Sequence, residues 1–279
     1  MTAFPKQAIV NLPAGTLLEG DCLVSVRVTP DDDIPHLKRL YGKRLLNFEI
    51  GEGRHHDVGL CRSLEGTRLR IVTCGREPLQ AGGVVEALKR TTPIFVIVPD
   101  ENTLRNANTL TSLGFRVHID AAAPVDSEDA LLRALDFYLH NPLLSIPVEP
   151  FHRLLRTASA GRGHDLWDIQ SENVKINFYV SDNGEVALAK RWTSSGLNYG
   201  TLDNTWDEIV NGALMRRLLS FKADLFRQQN QCVFCRHLDL CGGFLRAVEP
   251  EWQCNIWQEL FKTLRDEARK AKDLLDSVP

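Results

Sequence analysis

Two hydrophobic periods alternate along the first half of the chain. Short runs rich in β-branched and aromatic residues read as strands: Leu45-Leu46-Asn47-Phe48-Glu49-Ile50, Leu69-Arg70-Ile71-Val72-Thr73, Ile94-Phe95-Val96-Ile97-Val98 and Phe115-Arg116-Val117-His118-Ile119. Between the second and third lies Gly83 to Arg90, and between the third and fourth lies Asn102 to Gly114; both have helical length and spacing, with Gly114 as a stop. The fourth strand leads through Asp126-Ser127-Glu128-Asp129 to a helical segment, Ala130 to His140. Asp126 or Ser127 is the expected cap, and Asp129 falls in the first turn. Alternating β and α elements predict an α/β fold with a parallel sheet and crossover helices. Only about four or five such repeats fit, which predicts an open, partial barrel or a doubly wound sheet; a closed eight-stranded barrel needs more chain.

The pattern changes after the small-residue segment Ala158-Ser159-Ala160-Gly161-Arg162-Gly163, so a boundary is expected near residue 170, with domains 1–170 and 171–279. Val174-Lys175-Ile176-Asn177-Phe178-Tyr179-Val180 alternates with period two, Asp182-Asn183-Gly184 makes a turn, and Glu185 to Ala189 runs back as a hairpin. Asn204 or Thr205 then caps an amphipathic helix through Trp206, Ile209, Val210 and Leu214. A cysteine-rich loop follows, and a charged helix around Glu259 to Leu275 closes the chain.

The chain has 279 residues, 43% hydrophobic and 25% charged, as in ordinary globular proteins, which excludes a disordered or fibrous chain. The net charge of −3 gives no electrostatic case for nucleic acid. No apolar run approaches a membrane span, and the opening residues carry no secretory pattern, so a cytoplasmic location is expected. Of seven cysteines, Cys22, Cys61 and Cys74 are scattered, whereas Cys232, Cys235, Cys241 and Cys254 crowd together as C-x2-C-x5-C-x12-C.

That crowding carries the chemistry. Two cysteines separated by two residues can turn both sulfurs toward one centre, and the amides between them can stabilise thiolate charge. Four thiolates complete the ligand set of either a tetrahedral zinc or a cubane iron–sulfur cluster. Zinc sites commonly pair two C-x2-C motifs. The x12 spacing departs from this and puts one 4Fe-4S cluster ahead of zinc. Four buried, unligated thiols are the plain alternative.

Gly200-Thr201-Leu202, the helix opening Trp206-Asp207-Glu208-Ile209, and Cys232-Val233-Phe234-Cys235-Arg236-His237-Leu238-Asp239-Leu240-Cys241-Gly242-Gly243 resemble the SPASM domain, the C-terminal extension of many radical SAM enzymes that modify peptides and proteins. The resemblance covers about residues 174 to 255. It implies auxiliary 4Fe-4S clusters. The full family pattern also places a cysteine on the hairpin and another three residues beyond Cys241-Gly242-Gly243. Here the hairpin offers Ala187 and Ala189, and the residue after Gly243 is Phe244. By the resemblance these losses fall on the first auxiliary cluster and leave Cys232, Cys235, Cys241 and Cys254 to the second. Gly75-Arg76-Glu77-Pro78-Leu79 similarly resembles the Gly-Gly-Glu-Pro-Leu loop with which radical SAM barrels bind S-adenosylmethionine, with Arg76 in place of a glycine; an ordinary βα loop is the other reading. The C-x3-C-x2-C triplet of the radical SAM cluster is absent from the sequence, so no radical SAM activity is expected.

Other candidates are His55-His56-Asp57, for metal or acid–base work; Cys74, at the end of a strand; Arg236, His237 and Arg246, as tuners of the cluster; and the pair Trp252 and Trp257, as packing. The expected function is that of an iron–sulfur accessory protein whose partners are a radical SAM maturase, a small peptide substrate, or both. The alternatives are an enzyme of other chemistry using the βα loops around Cys74, Gly75 and Glu77, and a structural zinc protein.

Overall fold

The structure is a computed structural model that describes residues 2–51, 54–73, 82–122, 128–228, 230–248 and 254–276. Its strands are β1 (Ile9–Pro13), β2 (Leu23–Val28), β3 (Leu45–Ile50), β4 (Arg68–Thr73), β5 (Thr92–Ile97), β6 (Arg116–Ile119), β7 (Val148–Glu149), β8 (Asn177–Val180), β9 (Glu185–Ala187) and β10 (Gly200–Thr201). The chain forms two compact units. The first comprises Met1–Thr73, Glu77–Val96 and Glu172–Ser220; the second comprises Cys74–Arg76, Ile97–Ser171 and Phe221–Pro279.

In the first unit the strands follow the order β10-β9-β8-β1-β2-β3-β4-β5. The pairs β8–β1, β1–β2, β2–β3 and β3–β4 are parallel. From β1 to β5 the spatial order equals the chain order, with no reversal. Right-handed crossovers between strands in that order place every connecting helix on one face. The sheet is therefore the partial-barrel kind and not the doubly wound kind. More repeats are present than the four or five expected, because β1 and β2 also belong to the series. Both are short, and Asn11, Ser25 and Arg27 interrupt their apolar runs.

The two faces of this sheet differ. Val10, Leu12, Val24, Val26, Phe48, Ile50, Leu69, Ile71, Phe178 and Val180 are buried on one face. Asn11, Arg27, Asn47, Glu49, Arg70 and Tyr179 are half-buried on the other. The hairpin forms as expected. β8 and β9 pair antiparallel through a turn closed by Gly184, at φ +78°, a conformation glycine adopts without strain. Thr205 caps the helix Trp206–Asn211 in a reciprocal capping box with Glu208. Behind the hairpin, the Phe178 ring lies 5.3 Å from both Phe4 and Trp206.

In the second unit β6 and β7 pair in parallel. The helices Glu128–His140, Phe151–Ala160 and Asn255–Asp276 belong to it. Gly161, left-handed at φ +66°, ends the helix Phe151–Ala160. The closing helix is charged outside but buries Trp257, Leu260, Phe261, Leu264 and Ala268, a seam at helical spacing. The expected caps Asp126 and Ser127 lie outside the described residues. Among the described residues no helix is long and apolar enough to cross a membrane.

Phe48 has no exposed surface. Phe48→Ala is expected to destabilise the fold by about 3–5 kcal/mol. Denaturant unfolding checks this; an unchanged midpoint would remove Phe48 from the core.

Candidate functional site

The cysteine loop is built from short, capped turns. The Asn230 side chain accepts the Cys232 N–H at 3.0 Å and starts the 3-10 turn Gln231–Phe234. The Cys235 N–H donates back to the Cys232 carbonyl at 3.1 Å, which brings the C-x2-C pair around. One helical turn, Leu238–Cys241, carries the third cysteine. Gly242 and Gly243 follow at φ +61° and +75°, both left-handed. The buried Trp167 indole N–H fixes this reversal by donating to the Gly242 carbonyl at 3.0 Å. Cys254 stands just before the helix Asn255–Asp276 and accepts its first-turn Gln258 N–H at 2.8 Å.

These turns bring all four cysteines onto one cavity of about 70 Å³, whose walls also include Leu238, Leu245, Arg246, Trp257 and Phe261. A single water needs roughly 10–15 Å³ on this measure, so the space has room for a compact polyatomic group. The four cysteines line the cavity; no group of three or more His, Cys, Asp or Glu among the described residues is gathered to hold a single metal ion. Burial pushes the Cys241 thiol up to about 12, against the backbone N–H groups of Leu245 and Gly243, which donate to its sulfur. Burial and the neighbouring Cys254 also raise Cys232, whereas Arg246 lowers it. Thiolates crowded in this way become stable together once positive charge joins them, and metal binding then displaces their protons. Amides aimed at a cysteine sulfur and a cationic side chain at the rim suit an anionic iron–sulfur cluster. The residues present therefore fit such a group.

The expected tuners separate. Arg246 lines the cavity, and Arg236 and His237 are not among its walls. His237 is buried, its Nε2 accepts from Arg236 Nε at 3.1 Å, and its ring packs 5.6 Å from Phe261. Burial, then the cations Arg236 and Arg265, hold its pKa below the ordinary imidazole value. Trp257 is a wall of the cavity, while Trp252 lies outside the described residues. Phe244, the residue after Gly243, is fully buried and packs edge-on against Trp167 at 5.2 Å. In the first unit Ala187 is also fully buried.

Among the described residues the other candidates show no shared site. Asp57 is the N-cap of the helix Val58–Ser63, accepting the Leu60 N–H at 2.8 Å, which is a structural task. The His55 side chain lies outside the described residues, as do Cys74 and the whole Gly75–Leu79 loop. Cys22 and Cys61 are buried; burial raises the Cys61 thiol to about 11, which makes it a poor nucleophile.

A second polar constellation went unread in the sequence: the half-buried face of the parallel sheet. Arg27 donates to Asn11 at 2.6 Å, to the Val180 carbonyl at 2.6 Å and to Asp182 at 3.1 Å. Its guanidinium also stacks 4.3 Å above the Tyr179 ring. Asn11 donates to Glu49 at 2.9 Å, and Arg70 Nε stands 3.6 Å from Glu49. The available signal was a polar residue at every second position of otherwise apolar strands.

No protein-family model matches the sequence, and none of the curated proteins is a match. Solved structures do match. Native anSMEcpe with bound AdoMet and Cp18Cys peptide aligns over 95% of this chain and 99% of that chain, with TM-score 0.63 and 14% identity. Histidine-tagged anSMEcpe with bound AdoMet aligns over 94% of this chain and 96% of that chain, with TM-score 0.64 and 14% identity. Native anSMEcpe with bound AdoMet and Kp18Cys peptide covers 94% of this chain and 86% of that chain, with TM-score 0.59 and 15% identity. The likeness is one of fold and agrees with the partial β/α barrel expected.

A Cβ on Gly243 would come within 2.7 Å of Leu225 Cδ1 and 3.0 Å of the Phe221 ring, on backbone that is already left-handed. Gly243→Ala is expected to destabilise the protein by about 1–3 kcal/mol and to lower any metal content measured for the unaltered protein. Thermal unfolding together with metal analysis checks both; unchanged values would make the turn unimportant.

Proposed function

We propose that this chain is an iron–sulfur accessory protein of a peptide-maturation system. One 4Fe-4S cluster is held by Cys232, Cys235, Cys241 and Cys254. Residues 1–170 represent a degenerate radical-SAM-like barrel and 171–279 a SPASM-like domain. The observation that carries the reading is the convergence of all four cysteines on one cavity, with backbone amides directed at a sulfur. The hairpin, which offers Ala187 and Ala189, and the stretch after Gly243, which opens with Phe244, lack the two further cysteines of the resembled family and so leave donors for one cluster only.

When bound, such a group supplies one-electron chemistry or braces the fold. The chain's own part is to exclude water with Trp257 and Phe261 and to balance charge with Arg246. The likeness to anSMEcpe, whose structures hold AdoMet and peptides, supports a peptide as the partner. A radical SAM maturase is the second partner, because the triplet that starts radical chemistry is missing here.

Two measurements test the reading. Protein purified without oxygen is expected to carry about four irons with matching sulfide, and Cys235→Ala to lose them; one zinc without sulfide would overturn the cluster. With reductant and S-adenosylmethionine, no 5′-deoxyadenosine is expected, and sustained production would overturn the accessory role.

A further inference from the structure

We propose that the indole N–H of Trp257 donates a hydrogen bond to an inorganic sulfide of the bound cluster and raises its reduction potential. The inference rests on the proposed 4Fe-4S cluster and adds a contact to the group itself, beyond its four thiolates. Trp257 is buried and lines the cysteine cavity. Its ring packs against Phe261, with centroids 5.6 Å apart. That contact uses the ring and leaves the nitrogen unspent. Among the described residues, the buried Nε1 has no hydrogen-bond partner. An indole nitrogen can only donate, and a buried donor left without an acceptor is costly, so nearly all such groups in folded proteins are paired.

The cysteines do not supply the acceptor. Nε1 reaches none of the sulfurs of Cys232, Cys235, Cys241 and Cys254. Cys241 has donors of its own in the N–H groups of Leu245 and Gly243, and the Arg246 charge acts on Cys232. The acceptor for Trp257 therefore has to arrive with the occupant of the cavity. A zinc ion brings none, whereas an iron–sulfur cluster brings its own sulfides into the space among the thiolates. Reduction adds negative charge to those sulfides. A hydrogen bond to them stabilises the reduced form more than the oxidised form, and the potential rises. The donor is also held in place. Cys254 and Trp257 stand at the start of one helix, Asn255–Asp276, whose first turn is closed by the Gln258 N–H on the Cys254 carbonyl. One turn thus carries a ligand and the donor together.

The test uses the full chain purified without oxygen, with iron and sulfide assayed on every sample. Trp257→Phe removes the N–H and keeps an aromatic wall. It is expected to retain the iron and to lower the reduced-to-oxidised ratio of the cluster about tenfold at a given potential, which is a fall of about 59 mV in the midpoint of a one-electron couple, followed by EPR. Trp192→Phe makes the same change at another buried indole whose nitrogen is unpaired among the described residues but which is not a wall of the cavity, and should leave the midpoint where it was. Proton NMR gives a readout that needs no substitution: the Trp257 indole N–H signal, assigned through its backbone neighbours, is expected to be hyperfine-shifted and slow to exchange in the iron-loaded protein. A midpoint unmoved by Trp257→Phe, an equal fall in Trp192→Phe, or a Trp257 signal without a hyperfine shift overturns the hydrogen bond and leaves the cluster standing. If Trp257→Phe loses its iron, the signal of the unaltered protein decides alone. Unaltered protein that carries zinc and no sulfide overturns the cluster and the hydrogen bond together.

Discussion

A parallel sheet wound in one direction has only one face that its own crossovers can cover. Parallel strands are usually apolar on both sides because both faces are covered. Here the large aliphatic and aromatic residues collect on a single face, and a charged network occupies the other. Arg27 is the member on which that network depends. A guanidinium leaves water only when its donors find acceptors. Asn11, the Val180 carbonyl and Asp182 provide them, and Tyr179 covers its plane. The same contacts tie β8, β1 and β2 together on the side where no apolar packing does so.

The cysteine loop of the second unit meets a related requirement by different means. Four sulfurs within 23 positions can meet only if the backbone reverses twice over a short distance. The first reversal is the Asn230-capped turn, and the second is the left-handed pair Gly242–Gly243, held by Trp167. The glycines do more than turn the chain. By reversing it they bring the N–H groups of Gly243 and Leu245 onto the Cys241 sulfur, so the turn and the electrostatics of the site are one feature.

Much of this was legible in sequence because the signals were local. β3 coincides with its expected run, the hairpin and its capped helix follow their turn and cap residues, and the four closely spaced cysteines line one cavity. What was not legible depended on distant partners. Asn11, Arg27, Glu49 and Arg70 are scattered over sixty positions, and the polar residues of β1 and β2 concealed the strands themselves. β7, of two residues, is too short for any period. Winding direction follows from spatial order, which no hydrophobic pattern encodes. His237 and Arg246 could not be told apart as neighbours of the cysteines until the fold placed only Arg246 on the cavity.

Phe244 and Cys241, three positions apart, serve different ends. At position 244 a phenyl ring occupies the space and packs against Trp167, so this residue serves the core. At 232, 235, 241 and 254 small side chains still surround open volume. Empty apolar volume is destabilising, by an amount that grows with its size. The four cysteines and the open volume they line are thus the part of the second unit that apolar packing does not fill, in contrast to position 244.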